Sequence, residues 1–110
     1  MNATNQTQSL DNAMQVYTTA KQDALVAKKL TCRIATQKYN QFVKQQDSAY
    51  MVRKLNSDWE NTKELLSQNL FAKSMAANER YNSIEIAKET YWLTVNMLEK
   101  NIMQTIRSNA

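Results

Sequence analysis

The residue types that most enzymes use for catalysis are scarce in this sequence. It contains no histidine, so the commonest general base and the Ser–His and Cys–His nucleophile pairs are missing. Carboxylates do occur one helical turn apart, as Glu60 with Glu64 and Glu85 with Glu89. A carboxylate-bridged metal site in a helical bundle also needs Glu-x-x-His motifs, and the sequence has none. We therefore interpret these glutamates as surface charge, and we predict a protein that is not an enzyme and uses no cofactor or metal.

The single cysteine, Cys32, bears on location rather than on catalysis. One cysteine can form no disulfide within the chain, and nothing else in the sequence points to an oxidising compartment. No stretch approaches the roughly 20 apolar residues of a membrane-spanning helix. We therefore expect a cytoplasmic protein that would contact a membrane only peripherally.

The composition predicts an almost wholly helical chain. Its 110 residues include no glycine and no proline, whereas an average sequence of this length has roughly a dozen. Tight turns and phosphate-binding loops are therefore nearly excluded, while the abundant Ala, Gln, Lys, Leu, Met and Glu favour helix. Much of the 43% hydrophobic content is alanine, so a core built from one copy would be thin. The composition therefore predicts self-association.

Residues 81–107 carry the most regular apolar pattern in the chain. It advances three or four residues at a time, through Ile84, Ala87, Tyr91, Val95, Leu98, Ile102 and Ile106. Only a helix places such positions in one stripe. The six steps cover 22 residues, or about 3.67 per step, which is the eleven-residue repeat of a nearly straight helix. We predict that this stripe packs against another helix and forms a dimer interface.

The first half of the chain has a stripe of smaller residues. Steps of three and four lead through Leu10, Ala13, Tyr17, Ala20, Ala24, Ala27, Thr31 and Ile34, and the stripe then moves to Ala35, Tyr39 and Phe42. This is coiled-coil spacing, with side chains small enough for a neighbouring helix to approach closely. A helix that begins near Asp58 is predicted to bury Trp59, Leu66 and Leu70.

The helix ends are marked only by polar residues, because the chain lacks glycine and proline. Residues 1–8 are polar without periodicity, so we expect a disordered N-terminal tail, followed by a single helical domain over residues 9–107. The helix could break near 56–57, where Ser57 and Glu60 form a capping-box pattern, or near 78–83, where Asn82 could cap a new helix. We predict an all-α fold of two or three long antiparallel helices, a coiled-coil hairpin or bundle that dimerisation completes.

Basic residues are concentrated in the first half of the chain. Residues 1–56 hold eight Lys or Arg and three acids, whereas residues 57–110 hold six and seven. Opposite or beside the small-residue stripe lie Lys21, Lys28, Lys29, Arg33 and Lys44. Such a helix face suits an anionic lipid surface or an acidic partner protein, and an ordinary solvated face is the alternative. Nucleic-acid binding is disfavoured: Tyr81, Tyr91 and Trp92 could stack on bases, but they fit helix packing better and no recognisable module accompanies them.

Two stretches resemble F-BAR domains, the elongated helical modules associated with membrane curvature. The first is Ala87-Lys88-Glu89-Thr90-Tyr91-Trp92-Leu93-Thr94-Val95-Asn96, and the second is the Lys-rich and Tyr-rich run from Ala27-Lys28-Lys29 to Gln37-Lys38-Tyr39. The resemblance covers residues 20–106 and implies an antiparallel dimer that lays a basic face on membranes containing phosphoinositide or phosphatidylserine. It implies that this face consists of Lys21, Lys28, Lys29, Arg33 and Lys44. The chain is shorter than a full F-BAR domain and lacks its first helix, so the resemblance would make it a fragment or a trimmed relative.

Two hypotheses of function follow from these patterns. The first is a non-enzymatic helical scaffold that self-associates and binds an acidic membrane surface through the basic helix face. The second is a small dimeric adaptor or chaperone, of the secretion-system or viral type, that holds an amphipathic partner helix on its apolar stripe. Both make the chain a homo-oligomer whose partner is either an acidic lipid surface or a helical protein. Membrane binding requires basic residues on one surface, whereas a chaperone requires exposed apolar surface.

Overall fold

The computed structural model describes residues 3–108, with side chains described from Thr7 onward, and contains two long helices. Helix α1 is Ala3–Leu55 and helix α2 is Trp59–Ser108. The described residues include no strand. The all-α prediction is therefore confirmed, with two helices rather than three. Helices of this length are possible because no glycine or proline interrupts the backbone hydrogen bonds.

The turn between the helices is built from polar side chains instead of glycine. At the end of α1, the Ser57 hydroxyl donates to the Arg53 carbonyl at 2.7 Å, and the Asn56 amide donates to the Val52 carbonyl at 3.2 Å. At the start of α2, the Asp58 carboxylate accepts the Asn61 backbone N–H at 2.9 Å. These bonds satisfy backbone groups that a helix end leaves unpaired. The cap of α2 is therefore Asp58 and not the predicted Ser57, whose hydroxyl instead serves the end of α1.

The observed helix boundaries differ from the sequence expectations in two places. Helix α1 already begins at Ala3, so residues 3–8 are helical where a disordered tail was expected, while residues 1 and 2 lie outside the described part. Helix α2 runs without interruption through residues 78–83. There, the Arg80 Nε donates to the Thr36 hydroxyl of α1 at 3.0 Å, which ties this stretch to its neighbour. The break lies at Asn56–Ser57, the other predicted position.

The described parts of the two helices pair in two compact units. The terminal unit falls within Met1–Leu30 and Ile86–Ala110, and the turn unit is Thr31–Glu85. Each unit contains a segment of α1 and a segment of α2. In each unit, contacts made by later residues of α1 involve earlier residues of α2. The two segments of each unit are therefore antiparallel.

The terminal unit has a narrow apolar core. Val95 is only 2% exposed and Ala87 is also buried, and the α1 side chains that face them are mostly small. The partly buried α1 residues of this unit include Leu10, Ala13, Tyr17, Ala20 and Ala24. Small residues let the two backbones approach closely, as the small-residue stripe predicts.

The turn unit is joined by polar contacts as well as apolar ones. Ala35, Tyr39 and Phe42 are partly buried on α1. The Lys73 ammonium lies 2.8 Å from the Asp47 carboxylate, and Asn69, which is 6% exposed, donates to the same carboxylate at 3.2 Å. These contacts fix which side of each helix faces the other.

Candidate functional site

Three of the five basic residues proposed to face an acidic surface are exposed. They are Lys29 in the terminal unit and Arg33 and Lys44 in the turn unit. Side chains in water keep their charge available to an anionic surface. These three positions are therefore the strongest part of the predicted basic face.

The other two basic residues are partly buried, because each lies beside a tyrosine ring. The Lys28 ammonium is 4.9 Å from the centre of the Tyr91 ring on α2, and the Lys21 ammonium is 5.8 Å from that of Tyr17. Both distances suit a cation–π contact. Lys28 in particular holds α1 against α2, so it serves packing within the terminal unit.

The inward row of α1 shifts by one residue partway along the helix. Ala27, Thr31 and Ile34, which the sequence places in the buried stripe, are exposed, while Lys28, Cys32 and Ala35 are partly buried. The row therefore advances by four residues three times in succession, from Ala20 through Ala24 and Lys28 to Cys32. A coiled-coil pattern with an extra step of four is locally unwound, which is why a strict alternation of three and four chose the wrong side.

The regular stripe of α2 is largely covered. Ala87 and Val95 are buried, and Ile84, Tyr91, Leu98 and Ile102 are partly buried, while Ile106 is exposed. Within the terminal unit the covering element is α1, since the Tyr17 hydroxyl donates to Glu99 at 3.5 Å and Lys28 lies over Tyr91. In the terminal unit the stripe therefore packs within the chain, and its role as a dimer interface stays a prediction.

Helix α2 is rotated from the expected orientation near the turn. Trp59, Leu66 and Leu70 were expected to be buried, yet all three are exposed. The residues that turn inward are Thr62, Leu65, Asn69 and Ala72. Asn69 and Lys73 both bind Asp47, so these polar contacts set the rotation. No apolar periodicity in the sequence carries that information.

The Asp47 carboxylate is the group whose acidity the structure changes most clearly. The hydrogen bond from Lys73, and then that from Asn69, lower the pKa of Asp47 below its ordinary value, because both stabilise the charged form. Next to it, the Asn69 side-chain oxygen is buried and accepts no hydrogen bond from the described residues. Asn69 also lines an open groove with Tyr50 and Leu65. The cluster thus consists of one carboxylate, one ammonium and one amide.

Exposed large apolar side chains are a feature that the sequence pattern did not locate. In the turn unit, four of them surround the turn, namely Met51, Val52, Leu55 and Trp59. In the terminal unit, Ile86, Leu93 and Met97 follow one another at helical spacing on α2 and are all more than half exposed. Trp92 beside them makes an edge-to-face contact with Tyr91 at 5.5 Å. The sequence could have located them, because they are the large apolar residues that do not belong to the single inward row assigned to each helix.

The glutamates interpreted as surface charge, Glu60, Glu64, Glu85 and Glu89, are all exposed. Among the described residues, no group of three or more His, Cys, Asp or Glu side chains is placed to hold a metal ion. None of the described helical segments combines the length and the apolar character needed to cross a bilayer. Comparisons with protein-family models, with curated proteins and with solved structures find no match to this chain.

Proposed function

We propose that this chain is a non-enzymatic helical scaffold, similar to an F-BAR module, that self-associates and binds an acidic membrane surface through exposed basic residues of α1. The observation that carries the lipid part is the exposure of Lys29, Arg33 and Lys44. Their attraction to an anionic surface is worth about 1 kcal/mol per cation close to the headgroups. Lys21 and Lys28 contribute less, because both are partly buried beside tyrosine rings.

The self-association part is supported by the balance of buried and exposed apolar residues. Only Ala87 and Val95 are buried hydrophobic residues among those described, whereas large apolar side chains are exposed in both units. Exposed apolar surface of this kind commonly marks a contact with another molecule. A second copy of the chain would cover part of it and would complete the core that one copy leaves thin.

An adaptor or chaperone is the alternative, and one surface favours it. Ile86, Leu93 and Met97 form an exposed row on α2 in the terminal unit, with the spacing by which one helix face receives an amphipathic partner helix. Methionine in such a row adapts to different partners. In this case the chain would bind a helical protein and would ignore lipid.

Vesicle sedimentation separates the two proposals. We expect the wild-type protein to sediment with phosphatidylserine-containing vesicles at low salt and less at high salt, since salt screens surface charge. Replacing Lys29, Arg33 and Lys44 together by Gln should weaken binding at low salt by about 3 kcal/mol, while helicity stays nearly unchanged because exposed charges contribute little to stability.

A matched variant controls for the loss of net charge. Lys88, Lys100 and Arg107 of α2 are also exposed, and their joint replacement by Gln removes the same charge from other positions. This variant should bind nearly as well as the wild type. If the wild type fails to sediment even at low salt, the membrane proposal is wrong and the adaptor proposal takes its place.

A further inference from the structure

The outward side of α1 in the turn unit is basic in the middle and apolar at the end. Arg33, Lys44 and Leu55 follow one another at intervals of eleven residues, which is three helical turns, so they lie along one line. Met51 precedes Leu55 by one turn on the same side. All four residues are exposed. The two cations proposed to contact lipid in this unit therefore share a face with the apolar residues next to the turn.

Leu55 and Trp59, which flank the turn, are the most exposed large apolar side chains that the structure describes. Leu55 is 80% exposed and Trp59 is 72% exposed. Val52, three residues before Leu55 on α1, is 62% exposed. The Lys63 ammonium lies 5.3 Å from the centre of the Trp59 ring. Leaving leucine and tryptophan in water is unfavourable, so their placement together at a turn indicates a contact with another phase or molecule.

We propose that the turn inserts Leu55 and Trp59 into the interfacial region of an anionic membrane, while Arg33 and Lys44 contact lipid headgroups along the same face of α1. The inference rests on the lipid binding proposed above and adds an apolar anchor to it. Tryptophan suits this position because its ring is amphipathic and collects at membrane interfaces, where lysine and arginine reach the headgroups. Arg53, Lys54 and Lys63 supply such cations around the turn.

The charges near the turn indicate what kind of contact this would be. Between residues 51 and 63, two carboxylates, Asp58 and Glu60, oppose the three cations, and the Asp58 carboxylate already accepts the Asn61 amide. Electrostatic attraction at the turn itself is therefore small, and burial of Leu55 and Trp59 must supply most of the binding there. Salt screens charge but not apolar burial, so this part of the binding should persist at high salt.

Two single-tryptophan variants test the insertion directly. Trp92→Phe leaves Trp59 as the only tryptophan, and Trp59→Phe leaves Trp92, which is 61% exposed in the terminal unit and serves as a matched control. Each is mixed with phosphatidylserine-containing vesicles whose acyl chains carry bromine, and with unbrominated vesicles. We expect the emission of Trp59 to shift to shorter wavelength and to be quenched by bromine, while the emission of Trp92 changes little.

A pair of double variants tests the contribution to affinity. Leu55→Gln with Trp59→Gln should weaken vesicle binding about tenfold, the effect of losing part of two apolar side chains from the interface, and should abolish the binding that remains at high salt. Leu70→Gln with Trp92→Gln removes the same residue types from other positions that are more than half exposed. That control should bind like the wild type, and circular dichroism should show that both variants stay helical.

The outcomes distinguish this inference from the proposed function. Binding that depends on Lys29, Arg33 and Lys44 but leaves Trp59 unquenched would overturn the insertion and keep the electrostatic lipid site. Equal quenching of Trp59 and Trp92, or equal losses in the two double variants, would also overturn it. If the wild type does not bind anionic vesicles at all, both proposals fail.

Discussion

At the scale of single residues, the polar contacts around Asp47 bear on how α2 is rotated in the turn unit. The Asp47 carboxylate accepts bonds from Lys73 at 2.8 Å and from Asn69 at 3.2 Å, and all three residues belong to the turn unit. Both donors reach Asp47 from α2, because the observed rotation of that helix turns Asn69 and Lys73 toward α1. That rotation turns Trp59 and Leu66 to the outside.

The stabilising contribution of this group should depend on pH. A carboxylate whose folded pKa lies below its unfolded value stabilises the fold when ionised, and this contribution disappears as pH falls through the folded pKa. The Lys73 and Asn69 hydrogen bonds lower the pKa of Asp47 in this way. We expect Asp47→Asn to melt below the wild type above about pH 5, with the difference closing below about pH 4.

A second exposed aspartate on α1 provides the control for that measurement. Asp23→Asn changes the same charge at an exposed position, and its melting temperature should follow that of the wild type across the whole pH range. A constant difference between Asp47→Asn and the wild type from pH 7 to pH 3 would show that the Asp47 contacts do not stabilise the turn unit through its charge.

At the scale of helices, each element has an inner row that the structure selects from two apolar candidates. On α2 in the terminal unit, Val95 and Leu98 turn toward α1, whereas Leu93 and Met97 turn outward. On α1 the row passes through Lys28 rather than Ala27, and the Lys28 ammonium covers the Tyr91 ring. Helix faces therefore cannot be assigned from residue type alone.

Two leucines five residues apart test the assignment of the α2 faces. Leu98→Asp places a charge against α1, where burying it unpaired should destabilise the fold by about 3 kcal/mol and lower the helicity. Leu93→Asp places the same charge on a side chain that is 62% exposed, so its unfolding free energy should change by less than about 0.5 kcal/mol. Urea titrations followed by circular dichroism compare them, and a Leu98→Asp curve that matches the wild type would mean that α2 packs through another face.

At the scale of the whole molecule, the balance between core and surface points to more than one copy. The sequence predicts self-association because the stripe of residues 84–106 is longer than two short helices in one chain can cover, yet in the terminal unit most of it is covered within the chain. Self-association is now supported by the apolar residues that stay exposed on the two helices, among them Val16, Phe71, Ile86 and Leu93. These would have to be covered by the partner copy.

We expect the protein to be larger than one chain in solution. Light scattering should give at least twice the 12.7 kDa of one chain at roughly tens of micromolar protein, with the mass falling on dilution because association depends on concentration. Leu93→Asp should reduce the mass while leaving helicity intact, if the outward row of α2 takes part. If the wild type is a monomer at all these concentrations and still binds anionic vesicles, the self-association proposal is wrong and the lipid-binding proposal stands.

The sequence by itself determined the all-α class and indicated residues 56–57 as one of two possible places for the turn. Helix propensity, apolar periodicity and the absence of glycine and proline are local properties, so they act whatever the rest of the chain does. Polar residues at Asn56–Asp58 are the one strong stop signal, and α1 and α2 meet there.

Only the tertiary structure decided how each helix is rotated about its own axis. A shift of one residue turns a helix by about 100° without changing its propensity, so the choice depends on contacts between residues far apart in sequence. Lys28 over Tyr91, and Asp47 with Asn69 and Lys73, make that choice. With these contacts made, Leu55 and Trp59 are exposed at the turn and most of the α2 stripe is covered, because a helix cannot turn one face inward without turning another outward.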